Sequence, residues 1–364
     1  MVAESDILGI GPLAPPVSGP GIKNSCIKKK MDDLGISIDW VDTINRRPSA
    51  FLEILQNINE YKYYIISVST NGRLALSPVI IPKVMTSPAR AALIPAGGQF
   101  MDEINKLPFL IRQAYIRLFN NFDIIYPQTQ GLKVKLETTL SETRIKKLPN
   151  MRFKPETENS TQFNDCAELN ELNVVYVGRL VRSKGLDELL GATDQFGHPT
   201  TKLYTHIYGD FVDNDEYKGK FLEKVNEIEN AEFRGKIEHD SVITEISQYD
   251  AFVFPSYYYG EGFPGVIVEA YMAGLPVIAT NWNYNSEVVS HRETGLLFDP
   301  KDVDDLKKKL QWLCDHPSEF IQMRKRAQLQ SKKYTAESVV NRLVKSLMNI
   351  GWDLSPDRSS QNNI

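Results

Sequence analysis

Short apolar runs alternate with longer amphipathic stretches along most of the chain. In the first half the runs fall at Asp6–Ile10, Ile36–Val41, Tyr63–Val68, Ala91–Ile94 and Asp123–Tyr126, and stretches such as Ala50–Asn59 and Pro108–Asn121 carry helical spacing between them. The second half repeats the arrangement. Its runs lie at Asn173–Val177, Leu203–Tyr208, Ala251–Phe254, Pro276–Ala279 and Leu296–Phe298, with helices over Asp215–Asn230 and Asp302–Asp315. Strands that alternate with helices predict an α/β fold with a parallel sheet in each half. Two further helical stretches follow, Ser318–Lys333 and Ala336–Ile350.

A polar segment without periodicity, Pro155–Leu169, separates the halves and reads as a linker. The expected organisation is a Rossmann-like domain over residues 1–155, a linker over 156–171 and a second Rossmann-like domain over 172–335. A helix over 336–354 is expected to pack back on the first domain, with a frayed polar tail over 355–364. A length of 364 residues suits two domains of common size better than one core. Two such sheets are expected to face a cleft, and ligands of open α/β sheets sit beyond the carboxyl ends of the strands. Chemistry is therefore sought in the loops that follow strands.

Composition acts mainly by exclusion. Hydrophobic residues make up 42% and charged residues 24%, ordinary values for a globular protein. The net charge of −4 leaves no global basic surface for nucleic acid. Cys26, Cys166 and Cys314 are far apart and lack CxxC spacing, which argues against a disulfide framework and a zinc site. Reduced thiols in a cytoplasmic protein are expected. No apolar run approaches the roughly 18 residues of a membrane span. The opening MVAESDILGIGPLAPP lacks a basic region and is broken by Pro12, Pro15 and Pro16, so it does not read as a signal peptide. In that setting the sequon at Asn159 carries little meaning.

The most informative stretch is DAFVFPSYYYGEGFPGVIVEAYMAGLPVIAT, Asp250 to Thr280. A strand ends at Phe254, a loop carries Glu261-Gly262-Phe263, and Pro264 suits the first turn of a helix. Gly274 suits the position just past the helix end, and Pro276 blocks continuation. Gly265 and Glu269 share a helix face. A ligand lying against Gly265 would reach the Glu269 carboxylate, which suits a ribose diol. The helix start offers N–H groups from Phe263, Gly265 and Val266 to a phosphate. A glycine-rich turn with two solvated glutamates fits the same pattern. In LNVVYVGRLVRSKGLDELL a strand runs into Gly178-Arg179, and Lys184-Gly185 open a helix. Two cations beyond a strand end would neutralise a diphosphate; a solvated basic loop is the plainer alternative.

Taken in order, these pieces carry a resemblance. Gly178-Arg179-Leu180 with Lys184-Gly185, Tyr208-Gly209, Phe233-Arg234-Gly235-Lys236-Ile237, the Glu261/Glu269 pair, and Glu287-Val288-Val289 before Thr294-Gly295-Leu296-Leu297 resemble the nucleotide-binding domain of the retaining glycosyltransferases of family 4. Those enzymes have the GT-B fold, two facing Rossmann-like domains with a deep interdomain cleft. The resemblance implies that Arg179 and Lys184 hold a donor diphosphate and that Glu269 holds the ribose. It implies that Glu261 contacts the transferred sugar, helped by backbone from Gly262 to Val266. Gly209 falls among the donor-binding positions, and backbone at Lys236-Ile237 faces the base. Pro264 stands where many members carry glycine.

The first half matches less fully. Pro15 to Gly21, with Gly19 and Gly21, resembles the family's glycine loop facing donor sugar and acceptor. Phe122 to Tyr126 and Lys147 to Asn150 resemble the end of the acceptor domain. Ala91 to Gly98, with Gly97 and Gly98, falls where many members place a histidine, yet all five histidines lie in the second half. The sugar 6-hydroxyl contact usually given to that histidine would then come from backbone or be absent. Lys28-Lys29-Lys30 and the helix LPFLIRQAYIRLFNNF, where Phe109, Tyr115 and Phe119 alternate with Arg112 and Arg117, suit a membrane interface. Core packing with solvated arginines is the reading we favour for that helix. Asp213-Asn214-Asp215 spells a DXD, but an Asp at a helix start is ordinary capping, and no metal is expected.

The function expected is retaining transfer of a sugar, without cofactor or metal, from a nucleotide diphosphate to a glycan or lipid-linked acceptor. A UDP-sugar is favoured over a GDP-sugar. A GT-B sugar-nucleotide epimerase and a non-catalytic GT-B partner subunit remain alternatives. Peripheral contact with the cytoplasmic membrane face is compatible with either.

Overall fold

The computed structural model describes residues 5–15, 18–44, 54, 56, 59–154, 169–212 and 215–354. The expected helix at Ala50–Asn59 falls largely outside them. So do Pro16, Val17, Asn159, Cys166, most of the expected linker, the Asp213-Asn214 pair and the tail from residue 355. The chain divides into two units, Met1–Phe153 with Tyr334–Ile364, and Lys154–Lys333.

Each unit is built on a six-stranded parallel sheet. The first contains β1 Ile7–Gly11, β2 Asp39–Asp42, β3 Tyr63–Ile66, β4 Arg90–Leu93, β5 Ile124–Ile125 and β6 Arg144–Ile145, in the order β2-β1-β3-β4-β5-β6. The second contains β7 Glu171–Val177, β8 Lys202–Tyr208, β9 Ala231–Phe233, β10 Ala251–Phe254, β11 Val277–Thr280 and β12 Gly295–Phe298, in the order β12-β11-β10-β7-β8-β9. The central strands are apolar along their length because helices cover both faces, as parallel sheets require. All four residues of β10 are buried. The winding direction reverses between β1 and β3 and between β7 and β10. Such switch points open a crevice at the carboxyl ends of the strands.

The helix Ala336–Asn349 belongs to the first unit. Its Val339, Val340, Leu343 and Leu347 share a core with Ile7, Ile27, Met31, Ile65 and Ile94. The returning chain is pinned by Arg152 N to Tyr334 O at 3.1 Å and by Ala336 N to Arg152 O at 2.7 Å. Farther on, Trp352 stacks on Tyr63 with ring centroids 4.7 Å apart, and the Tyr63 hydroxyl accepts from Asp353 N at 2.8 Å. Leu172, Val174, Leu186, Leu189, Val253, Ile278 and Leu310 lie in the core of the second unit.

Several local expectations are corrected. The run Ile36–Val41 pairs only from Asp39, opposite Leu8; Ile36 and Ile38 enter the core without joining the ladder. Helices at Thr70–Thr86 and Gln130–Glu137 and the strands β6 and β9 are additional elements. Pro264 does not start its helix; it occupies the capping position, and the helix runs Gly265–Met272.

The helix Phe109–Asn120 divides along its length. Phe119 is fully buried against Phe100, with centroids 5.0 Å apart, and Tyr115 is half-buried. Phe109, Leu110 and Ile111 are 64%, 79% and 47% exposed, so core packing fails for the first turn. Tyr115 has a structural task. Pro78 lies inside the helix Thr70–Thr86 and has no N–H for the Leu74 carbonyl four residues back. The Tyr115 hydroxyl donates to that carbonyl at 2.8 Å. Tyr115→Phe should therefore destabilise the protein by about 0.5–1.5 kcal/mol, the net worth of one such bond. Chemical denaturation measures it, and an unchanged midpoint and slope would show that water replaces the hydroxyl.

Candidate functional site

At the second switch point, the loops leaving β7, β8 and β9 are stitched together by backbone hydrogen bonds. Gly178 N donates to Tyr208 O at 3.1 Å, Leu180 N to Asp210 O at 2.8 Å, and Gly209 N to Gly235 O at 2.8 Å. This closeness demands glycine at Gly209: its φ is +155°, and a Cβ there would lie 1.9 Å from Gly178 O. Gly185 is equally constrained, with φ +74° and a would-be Cβ 2.1 Å from Pro255 O. The β7 loop is thereby pressed against the end of β10. Tyr257 N donating to Ser183 O at 3.0 Å holds it there.

That contact brings Lys184 and Glu261 together. They are 8% and 9% exposed. The Lys184 ammonium donates to Glu261 Oε1, and the Ser256 hydroxyl donates to the same oxygen at 2.8 Å. Ser256 is anchored in turn, its carbonyl accepting from the Thr280 hydroxyl. The Tyr258 ring meets two cations, with its centroid 5.3 Å from Lys184 Nζ and 5.4 Å from Arg179 Cζ. Trp282 Nε1 donates to Tyr258 O at 3.2 Å and Asn283 Nδ2 to Tyr259 O at 2.9 Å, fixing the loop from the β11 side. Beneath the cluster the Tyr176 hydroxyl donates to Arg179 O at 2.9 Å. Burial, reinforced by the Glu261 charge, holds that phenol well above its usual range.

Gly262, Phe263 and Pro264 are buried and lead into the helix Gly265–Met272. Its far end closes with Gly274 N to Tyr271 O at 3.1 Å and Leu275 N to Ala270 O at 2.9 Å, the paired bonds of a Schellman motif. The helix start at Gly265 and Val266 therefore sits beside Glu261 in sequence, with Glu269 one turn on from Gly265 and 5% exposed. His239 Nδ1 lies 4.0 Å from Glu269 Oε1. His239 follows Lys236 and Ile237 in the loop after β9, so that loop approaches the same helix. Helix N-terminus, two cations and two carboxylates make a site able to hold an anion and a diol.

Arg179 and Lys184 thus meet at one tyrosine ring and Lys184 joins Glu261, with Glu269, Gly209, Lys236 and Ile237 on the elements that border them. Gly19, Gly21, Gly97 and Gly98 lie in the first unit, after β1 and β4 at the carboxyl edge of its sheet. Ser256, Tyr258 and His239 escape sequence reasoning. The serine and histidine are single polar residues whose partners only the fold supplies; Tyr258 sits in a Tyr-Tyr-Tyr run that hides which ring is used. Among the described residues no group of three or more potential ligands could hold a metal ion.

Solved structures share this architecture. Anabaena HepE in complex with UDP superposes with a TM-score of 0.71 at 15% identity, over 94% of this chain and 99% of that one. The fold is GT-B. In sequence, the chain is 28% identical over 179 residues to an uncharacterized glycosyltransferase of Haemophilus influenzae, 49% of each chain. It is 26% identical over 168 residues to 2-deoxystreptamine N-acetyl-D-glucosaminyltransferase of Niallia circulans, 45% of this chain and 42% of that protein. The chain spans about half the length of these curated relatives. Residues 160–334, which contain the whole cluster around Lys184 and Glu261, match the model of the family described as Glycosyl transferases group 1.

Proposed function

We propose that the chain is a retaining glycosyltransferase of the family 4 type, moving a hexose from a UDP-sugar to a glycan or lipid-linked acceptor without a metal ion. The buried Lys184–Glu261–Ser256 cluster, set at a switch point beside a helix start, carries the reading. Arg179 and Lys184 would neutralise the leaving diphosphate, and the N–H groups of the helix start would do the same from the other side. Glu269 would take the ribose diol, and backbone at Lys236 and Ile237 would meet the base. UDP is preferred to GDP because HepE was solved with UDP. With no histidine in the first unit, backbone near Gly97 and Gly98 is left to meet the sugar. Cys26 and Cys314 are both buried, and the cytoplasm is the setting we propose for them.

A double displacement would need a carboxylate nucleophile poised on the sugar. Glu261 is tied to Lys184 and Ser256, which suits a fixed electrostatic partner for developing positive charge better than a nucleophile. Front-face transfer follows, with the departing phosphate taking the acceptor proton. Glu261→Ala should lower turnover by about 10²–10³, the effect of losing one preorganised electrostatic contact, with UDP affinity little changed. Glu269→Ala should weaken UDP about tenfold or more. Kinetics and calorimetry on both variants, with NMR of the product in EDTA, provide the test. An inverted anomer or loss of activity in EDTA would sink the mechanism. A donor returned as its epimer would identify an epimerase; a donor left intact would identify a partner subunit.

The exposed turn of the helix Phe109–Asn120 supports peripheral membrane contact. From Lys106 to Asn121 the chain has three cations, Lys106, Arg112 and Arg117, and no acidic residue. Among the described residues no helix is long and apolar enough to cross a membrane. Phe109, Leu110 and Ile111 backed by cations form a wedge for an anionic bilayer surface, where each cation contributes about 1 kcal/mol. The protein should float with anionic vesicles and far less with neutral ones. Leu110→Ser should reduce the bound fraction. Equal binding by both proteins would rule out this surface.

A further inference from the structure

The first unit carries a second polar cluster, at its own switch point between β1 and β3. Lys23 lies on the helix Gly19–Asp33 and is 1% exposed, yet among the described residues its ammonium has no hydrogen-bond partner. Next to it, Asn24 donates from Nδ2 to Pro12 O at 2.9 Å and to Ser67 O at 3.0 Å. Among the described residues Asn24 Oδ1 accepts nothing, and the buried Ser67 hydroxyl is also unpartnered. Arg73, 1% exposed, joins the loops after β3 and β4 by donating to Val68 O at 3.2 Å and Ala96 O at 3.0 Å. It also pairs with Glu103 at 3.0 Å. Among the described residues the cluster therefore holds two cations, and the carboxylate paired there, Glu103, is committed to Arg73.

A buried ammonium with no counter-ion is costly for a core to hold, and such atoms call for an explanation such as a bound ion or ligand. Burial first, and the charge of Arg73 second, pull Lys23 down to about 7. The approach is also visible. Gly19 lies one helical turn before Lys23 on the same face, is exposed, and a Cβ there would meet nothing within 4 Å. Helical side chains lean toward the N-terminus. Lys23 thus leans back toward the helix start, the end at which the helix dipole favours an anion.

We propose that this cluster is an acceptor subsite for an anionic group, a carboxylate or phosphate carried on a hydroxylated, sugar-like acceptor. Lys23 is the counter-ion, and Asn24 Oδ1 and Ser67 Oγ serve an adjacent hydroxyl. The proposal rests on the reading of the chain as a transferase whose first unit receives the acceptor. It narrows that acceptor to an acidic one.

Calorimetry on the full chain tests it with glucose, glucuronate and glucose 6-phosphate, and separately with UDP. At least one anionic sugar should bind about tenfold or more tightly than glucose, in line with a charged hydrogen bond; which one does so distinguishes carboxylate from phosphate. Lys23→Met should abolish the preference and leave UDP affinity unchanged. It removes an unpaired buried charge, so it should melt no lower than the parent protein. Ser67→Ala, a smaller change at an unpartnered hydroxyl, should weaken the anionic sugar by a few-fold and keeps the test open if Lys23→Met fails to fold. Equal or absent binding of all three sugars overturns the subsite, as does a preference that survives Lys23→Met. Failure of UDP to bind overturns the transferase reading instead, whatever the sugars do.

Discussion

A lysine and a glutamate withdrawn from water have to meet, and much of the second unit is arranged so that they do. Lys184 and Glu261 are 77 residues apart in sequence. Removing one partner of such a pair leaves the other charged and buried, at about 3–5 kcal/mol. Their meeting requires the β7 loop to lie directly on the end of β10, and only glycine at position 185 permits that approach. It also requires Ser256 to present its hydroxyl, which Thr280 ensures from β11. The loops beyond β7, β8 and β9 hold one another through main-chain bonds at Gly178, Gly209 and Gly235. Order at the site is thus built into the backbone before any ligand contributes.

Both sheets place a buried lysine at the point where their winding reverses, but the two are treated differently. In the second unit the ammonium is neutralised by a carboxylate and flanked by aromatic rings. In the first, the charge that acts on Lys23 is that of another cation, Arg73, which is itself paired with Glu103. One site is internally balanced and the other is not. That difference follows from which residues follow β3 and β10, since the strand orders place both lysines in comparable crevices.

Much of the α/β pattern could be read from the chain because apolar runs bounded by polar or turn residues leave little choice. Ala251–Phe254, between Asp250 and Pro255, is the clearest case. Two-residue β6 offers too little chain to make a pattern, and Ala231–Phe233 is interrupted by Glu232. The helix Thr70–Thr86 is hidden by Pro78 and Pro82; the carbonyl that Pro78 leaves without a donor is served from outside by Tyr115. Spacing singled out Lys184, Glu261 and Glu269, since a helix start and a strand end fix where such residues fall. It could not single out Lys23 or Arg73: a basic residue in a helix reads as solvated until the sheet buries it. Likewise, the exposed turn at Phe109 and the buried Phe119 belong to one helical pattern and differ only in what the fold brings against them.

The return of the chain to its first unit has a consequence for synthesis. Ala336–Asn349 fills the core beside β1, so residues made at the start wait for a partner made more than three hundred residues later. The second unit, Lys154–Lys333, is contiguous and can complete its core first. Domains usually finish in the order of their emergence from the ribosome; here the order is reversed. While the chain is being made, Ile7, Ile27 and Ile65 remain without the helix that covers them, and it is the nascent first unit that needs protection from other chains.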